Sequence, residues 1–196
     1  IILFLIQVGG FGIILITHMI ISVSADRYSF YVHNLTHAVV GKEFTPLSYA
    51  KDLLIFVMAV EAISALSLSL FFLEEGHSLT HALWLGCFTA ISAFCNAGFA
   101  LQSDSFMDYA HHTPILMIIS LTVILGGIGP RVIWELIASW RHRRRTQSLS
   151  LYTRIILWSN LILLSIPTGW LIITEWDHAF AQFDVIDKVT NAFFHT

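Results

Sequence analysis

Residues 78–103, SLTHALWLGCFTAISAFCNAGFALQS, hold no Asp, Glu, Lys or Arg, and how they cross or do not cross a bilayer decides the fold. A bilayer core needs about 20 mostly apolar helical residues, so the stretch is long enough to span. Thr, Ser, His, Asn and Gly are nevertheless scattered through it. Its apolar positions suit a helix up to about Ala93, after which Asn96-Ala97-Gly98 reads as a break. Either the chain passes through the membrane here, or it dips in and returns by the same face.

The membrane setting follows from composition. Of 196 residues, 56% are apolar and only 12% charged, and the mean hydropathy is +0.75. A soluble domain carries about 25% charged residues because its surface faces water. A soluble enzyme, a disordered tail and a nucleic-acid binder are excluded on that ground. Four more stretches are free of Asp, Glu, Lys and Arg: 1–25, 53–73 apart from Glu61, 109–130 and 155–174. Cys87 and Cys95 both lie in apolar sequence and offer neither a disulfide scaffold nor a four-ligand metal site. The chain opens at Ile1 inside an apolar run and closes abruptly at Asn191–Thr196, so both ends are expected to be cuts in a longer protein.

Basic residues in short loops mark the cytoplasmic side. If all five stretches span and the 26–52 loop is inside, Arg27, Lys42, Lys51 and Lys188 fall inside. Arg141, Arg143, Arg144, Arg145 and Arg154 then fall outside. If 76–103 is re-entrant, all of these except Lys188 fall inside. The re-entrant topology is therefore the expected one. It also gathers Glu74, Glu75, Asp104, Asp108, Glu175, Asp177, Asp184 and Asp187 on the outer face, an arrangement attractive to cations. Non-helical backbone at membrane depth is tolerated where protein buries it or it lines a water-filled cavity. A half-helix followed by a Gly-containing turn can present carbonyls to an ion, or it can be a purely structural turn between packed helices.

The chain repeats itself. QVGGFGI at 7–13 and ILGGIGP at 124–130 each lie in a span running from outside to inside. Two spans running the other way end at LFFLEEG (70–76) and LIITEWD (171–177). After each comes an aromatic, small-residue stretch, ALWLGCFTAISAF at 82–94 and VTNAFFHT at 189–196. The order is that of a two-span-plus-loop unit, a repeat pattern common in transporters and channels.

At QVGGFGI, ISAFCNAGFAL (91–101), ILGGIG (124–129) and NAFFHT, the chain resembles the Trk/Ktr/HKT family of potassium transporters, and within it the TrkH/KtrB type of pore-forming membrane subunit. The resemblance runs over essentially the whole chain. It implies an all-α polytopic membrane protein, made of repeated outer helix–re-entrant pore loop–inner helix units around a potassium-channel-like pore, of which this chain is a central fragment. The expected organisation begins with an inner helix of the first repeat at 1–25 and a cytoplasmic linker at 26–52. The second repeat occupies 53–138, with its outer helix at 53–73, pore helix and filter at 78–100 and inner helix at 113–138. A basic cytoplasmic loop at 139–154 leads to the outer helix and the start of the pore helix of the third repeat, 155–196.

The family's filters are each centred on a glycine, and by that pattern Gly98 is the filter glycine. Asn96 and Ala97 stand where the potassium-channel signature has Thr and Val, and Phe99 where it has Tyr, with Cys95 leading in. Potassium is the implied cargo, held at Asn96 and Ala97, with sodium a second cation to consider and no organic cofactor on the chain. The resemblance further implies a homodimer in a bacterial inner membrane, regulated by a cytosolic nucleotide-binding subunit. One departure is Pro130-Arg131 after the glycine run, where Phe-Pro is expected of relatives.

Other residues admit two readings. Gly9, Gly10 and Gly12, like Gly126, Gly127 and Gly129, are expected to allow close helix approach rather than to bind anything. Glu61 sits mid-span, where a charge costs about 2.5–3.5 kcal/mol on insertion scales, so it needs a partner or a proton. It either hydrogen-bonds behind the filter or carries the coupling proton of a secondary transporter with a midplane site. Arg141, Arg143, Arg144 and Arg145 form an inside anchor or a docking surface for a cytosolic subunit or anionic lipid. His33 and His37 lack a third ligand nearby, and His111-His112 reads as solvated loop, so no metal site is expected. The sequon Asn34-Leu35-Thr36 falls on the cytoplasmic side. Neither HExxH nor GxSxG occurs, and enzymatic activity is not expected.

Overall fold

The computed structural model describes residues 1–10, 12, 46–141 and 149–196, and among these every regular element is a helix. Residues 2–10 form α1. The others are α2 (Pro46–Glu74), α3 (Leu79–Phe94), α4 (Thr113–Ile128), α5 (Pro130–Arg141), α6 (Leu151–Glu175) and α7 (Val185–Phe194), with a 3-10 turn at Met107–Tyr109. His33, His37, the sequon at 34–36 and Arg143, Arg144 and Arg145 lie outside the described residues, as do most of the 1–25 helix and the 26–52 linker.

Within α2, Leu53–Glu74 has a mean hydropathy of 2.3, and α6 has 1.8; both are long and apolar enough to cross a membrane. Pro46 opens α2, where its missing N–H is no loss. The helix closes in a Schellman motif: His77 N–H reaches Phe72 O (3.1 Å), Gly76 N–H reaches Leu73 O (3.0 Å), and Gly76 takes the left-handed conformation at φ 92°. That sharp stop turns the chain straight into α3, which packs back along α2. Gly86 makes the approach possible, since a Cβ there would overlap the Ser69 hydroxyl and lie 2.6 Å from Ala65 O. Leu68 and Phe72 of α2, Ala82, Leu85 and Ala90 of α3, and Ile115, Leu116 and Ile119 of α4 form the main core.

Contacts along α2 show that α3 enters and leaves on one side. At its far end Phe94 packs against Phe56 with ring centroids 6.2 Å apart, whereas the chain after the loop returns to Phe72, 5.8 Å from Tyr109. Phe56 and Phe72 are about 24 Å apart along a helix rising 1.5 Å per residue. His112 Nε2 completes the return, 3.7 Å from a Glu75 carboxylate oxygen at the end of α2. The segment 76–112 is thus a re-entrant excursion.

The sequence predicts one inner helix over 113–138, but the structure has two, with α4 and α5 meeting at 94°. The cause is local. Gly129 adopts φ 79°, ψ 160°, and Pro130 both lacks an N–H and disfavours the α-conformation in the residue before it. The departure Pro130-Arg131 therefore falls at the bend. Beyond it, the Glu135 carboxylate holds the N-cap Ser150 of α6, accepting from the Ser150 N–H, from Ser150 Oγ (2.7 Å) and from Thr153 Oγ1. Arg131 lies 4.9 Å from the Tyr152 ring centroid, adding a second tie between α5 and α6.

The C-terminal helix α7 docks on the start of α4 and the loop before it. Asn191 Nδ2 donates to Ala110 O (2.7 Å), and Thr113 Oγ1 donates to Asp187 Oδ1 (2.8 Å). Lys188, the exception in the charge count, is buried; its Nζ donates to Trp176 O (2.8 Å) and lies 4.5 Å from that residue's ring centroid.

Candidate ion-binding loop

The C-terminal end of α3 unwinds into residues 95–99. Ala97 N–H reaches Ser92 O (2.9 Å) and Asn96 N–H reaches Ala93 O (3.1 Å), a second Schellman motif with Asn96 in the left-handed position at φ 51°. Asn is the residue after Gly that tolerates this conformation, which gives the Asn of the motif a local reason. Gly98 follows at φ 70°, again in the region that favours glycine. Phe99 is tied back to the helix. Its carbonyl accepts from Ser92 Oγ (2.7 Å) and its N–H donates to the same hydroxyl (3.0 Å).

Among the described residues, no hydrogen bond reaches the carbonyl oxygens of Cys95, Asn96, Ala97 or Gly98. Among the described residues these four successive carbonyls have no donor, and they follow the negative end of a helix, an electrostatic setting that favours a cation. Phe99, predicted as part of the same run, has its carbonyl occupied by Ser92. A Ser within an apolar helix is ordinary in sequence, and the only signal of Ser92 is that it stands seven residues before Phe99.

Helices α4 and α1 pack against the loop's base. A Cβ at Gly126 of α4 would overlap Phe94 O, and one at Gly10 of α1 would lie 2.7 Å from Cys95 Sγ. Gly9, Gly12 and Gly127 have nothing within 4 Å of the corresponding position. Behind the loop, Glu61 is 6% exposed and its Oε2 accepts from Gln7 Nε2 at 3.1 Å, so the mid-span carboxylate meets α1. Gln7 is likewise ordinary in sequence. Ser64 Oγ and Thr122 Oγ1, 2.7 Å apart, join α2 to α4 one turn further on.

On its other side the loop borders a cavity of about 310 Å³. Ser92, Asn96 and Gly98 face Ile119 and Val123 of α4 and Phe194 of α7 across it. Arg141 is the last residue of α5. Among the described residues, no group of three or more His, Cys, Asp or Glu side chains is arranged to hold a metal ion.

These elements define a polytopic helical membrane protein built from an outer helix, a re-entrant pore loop and an inner helix. Comparison with known families agrees. The family model described as TrkH, Cation transport protein, matches residues 2–196, and the chain belongs to that family. It is 27% identical to the Ktr system potassium uptake protein B of Bacillus subtilis over 97% of this chain and 42% of that protein. The Ktr system potassium uptake protein B of Vibrio alginolyticus is 30% identical over 84% of this chain and 36% of its own length. The potassium/sodium uptake protein NtpJ of Enterococcus hirae is 27% identical over 82% and 35%. The chain thus spans less than half the length of these relatives.

Proposed function

We propose that the chain forms part of the pore of a potassium uptake system, and that the carbonyls of Cys95, Asn96, Ala97 and Gly98 replace part of the ion's hydration shell. The observation that carries this is the run of four carbonyls, without a donor among the described residues, at the end of a re-entrant half-helix. Stripping water from potassium is offset only when several oxygens are supplied together. The names of the relatives, which speak of potassium or potassium/sodium uptake, support the cargo and keep sodium as a second permeant ion. No covalent chemistry is involved, and no organic cofactor is required. The family resemblance adds a homodimer in the bacterial inner membrane and a cytosolic nucleotide-binding regulatory subunit, for which Arg141, Arg143, Arg144 and Arg145 are the proposed contact.

The test is potassium uptake by the full-length protein in a host lacking its own uptake systems. Wild type is expected to restore growth at low potassium. Gly98→Ser is expected to lower the preference for potassium over sodium, because a side chain at φ 70° distorts the carbonyls on either side. Unchanged selectivity and uptake kinetics in Gly98→Ser would sink the proposal.

A further inference from the structure

We infer that Ser92 is a positioning residue of the ion-binding loop, and that by holding Phe99 it sets the limit of the carbonyl ladder at Gly98. The inference rests on the filter reading above. Ser92 is 3% exposed on the last turn of α3. Its carbonyl accepts from Ala97 N–H at 2.9 Å, while its hydroxyl both donates to Phe99 O at 2.7 Å and accepts from Phe99 N–H at 3.0 Å. A hydroxyl has one proton and two lone pairs, so a single side chain can satisfy both backbone groups of one residue. Gly98 is strung between these tie points, and its position follows from theirs.

Among the described residues, the two hydrogen bonds to Ser92 are what tie the Phe99 backbone to α3. With its carbonyl turned to Ser92, Phe99 acts as the anchor of the loop rather than as an ion ligand. An apolar residue at 92 would release both backbone groups of Phe99 together and leave the ladder's end unspecified.

The experiment measures the potassium/sodium uptake ratio and the apparent potassium KM of the full-length protein in proteoliposomes, alongside its melting temperature. Ser92→Ala is expected to lower the ratio severalfold, because both backbone groups of Phe99 lose their partner. Ser92→Thr keeps the hydroxyl and is expected to keep the wild-type ratio. Ser92→Cys keeps the volume but offers only a weak donor, and should shift the ratio in the same direction as Ala; it decides the matter if the Ala variant does not accumulate. Gly98→Ser is run beside them. If Gly98→Ser shifts selectivity while Ser92→Ala or Ser92→Cys keeps the wild-type ratio, whatever its melting temperature, Ser92 is structural only and the inference is overturned. If Gly98→Ser shifts nothing either, the filter reading itself fails.

Discussion

Gly126 of α4 packs directly on the carbonyl of Phe94, the last residue of α3: a Cβ at 126 would overlap its oxygen and lie 2.9 Å from its carbonyl carbon. A backbone carbonyl cannot rotate away as a side chain can, so Gly126→Ala must push α4 off the base of the ion-binding loop. Overpacking of this kind costs about 1–3 kcal/mol where side chains give way, and with backbone on one side the upper end is expected. Gly127 has nothing within 4 Å of its Cβ position. Gly127→Ala should therefore change stability by less than about 1 kcal/mol, the helix-propensity difference between the two residues. Melting of the detergent-solubilised full-length protein separates the neighbours; equal effects would show that Gly126 is not at a close contact.

The corresponding approach from α1 is softer. A Cβ at Gly10 meets Cys95 Sγ at 2.7 Å and Cys95 Cβ at 3.1 Å. The thiol can swing aside, so Gly10→Ala is expected to destabilise by about 1–2 kcal/mol. Removing the sulfur relieves the closer contact. Gly10→Ala with Cys95→Ala should then be more stable than the two single effects predict, with a coupling of about 0.5–1 kcal/mol. Strict additivity in the double-mutant cycle would contradict the contact.

What could be read beforehand, and what could not, divides along physical lines. The re-entrant path was legible because it is a matter of charge: only a returning 76–103 segment keeps the arginines of 141–154 with Arg27, Lys42 and Lys51. The glycine pairs were legible as sites of close approach, but not which glycine of each pair, because that depends on helix rotation. Gly10 and Gly126 are not even at matching places in QVGGFG and ILGGIG. The 94° bend was hidden because Gly129-Pro130 continues an apolar, glycine-rich string. Ser92 and Gln7 were hidden because their partners, Phe99 and Glu61, are chosen by tertiary packing.

At the far side of the bend, Ser150 caps α6, its Oγ accepting from Thr153 N–H (3.2 Å), and Glu135 holds that cap through Ser150 and Thr153. A carboxylate beside a helix N-terminus complements the helix dipole, and this one also orients the capping hydroxyl. Glu135→Ala leaves the buried Thr153 hydroxyl without this acceptor and is expected to destabilise by about 1–3 kcal/mol. Glu135→Gln, which keeps an oxygen but loses the charge, should recover part of that loss. A melting temperature unchanged by Glu135→Ala would count against the cap.

Asp104 and Asp108 form an exposed carboxyl pair in the loop that leads back to α4. The hydrogen bond between them, and then the charge of Asp104, raise the Asp108 pKa above the ordinary aspartate range. As pH falls, Asp108 takes up a proton at a higher pH than an ordinary aspartate. The folded state binds more protons than the unfolded chain in that window. The contribution to stability is therefore present below the unfolded pKa and is lost as pH rises through the folded one. If the loop faces the outer solution, as the charge count predicts, acidification through this window removes negative charge near the entrance and raises the apparent potassium KM. Asp104→Asn removes the charge that disfavours ionisation of Asp108, so the KM rise should move to lower pH. An identical pH profile in Asp104→Asn would exclude the pair as its source.

Glu61 separates a pore from a proton-coupled carrier. Its Oε2 accepts from Gln7 Nε2, while its Oε1 and Gln7 Oε1 are both buried and have no hydrogen-bond partner among the described residues. If Glu61 serves only to join α2 to α1 behind the loop, Glu61→Gln keeps a side chain of the same shape with an oxygen for Gln7 and an amide that can donate to Gln7 Oε1. Potassium uptake should persist with near wild-type KM, and stability should change by no more than about 1 kcal/mol. If Glu61 instead carried a coupling proton, the same variant would abolish uptake driven by a pH gradient while leaving exchange of bound ion intact. Proteoliposomes with an imposed membrane potential, with and without a pH gradient, distinguish the two. The pore assignment requires that potential alone drives uptake in Glu61→Gln as in wild type, because a chain of carbonyls has nothing to protonate.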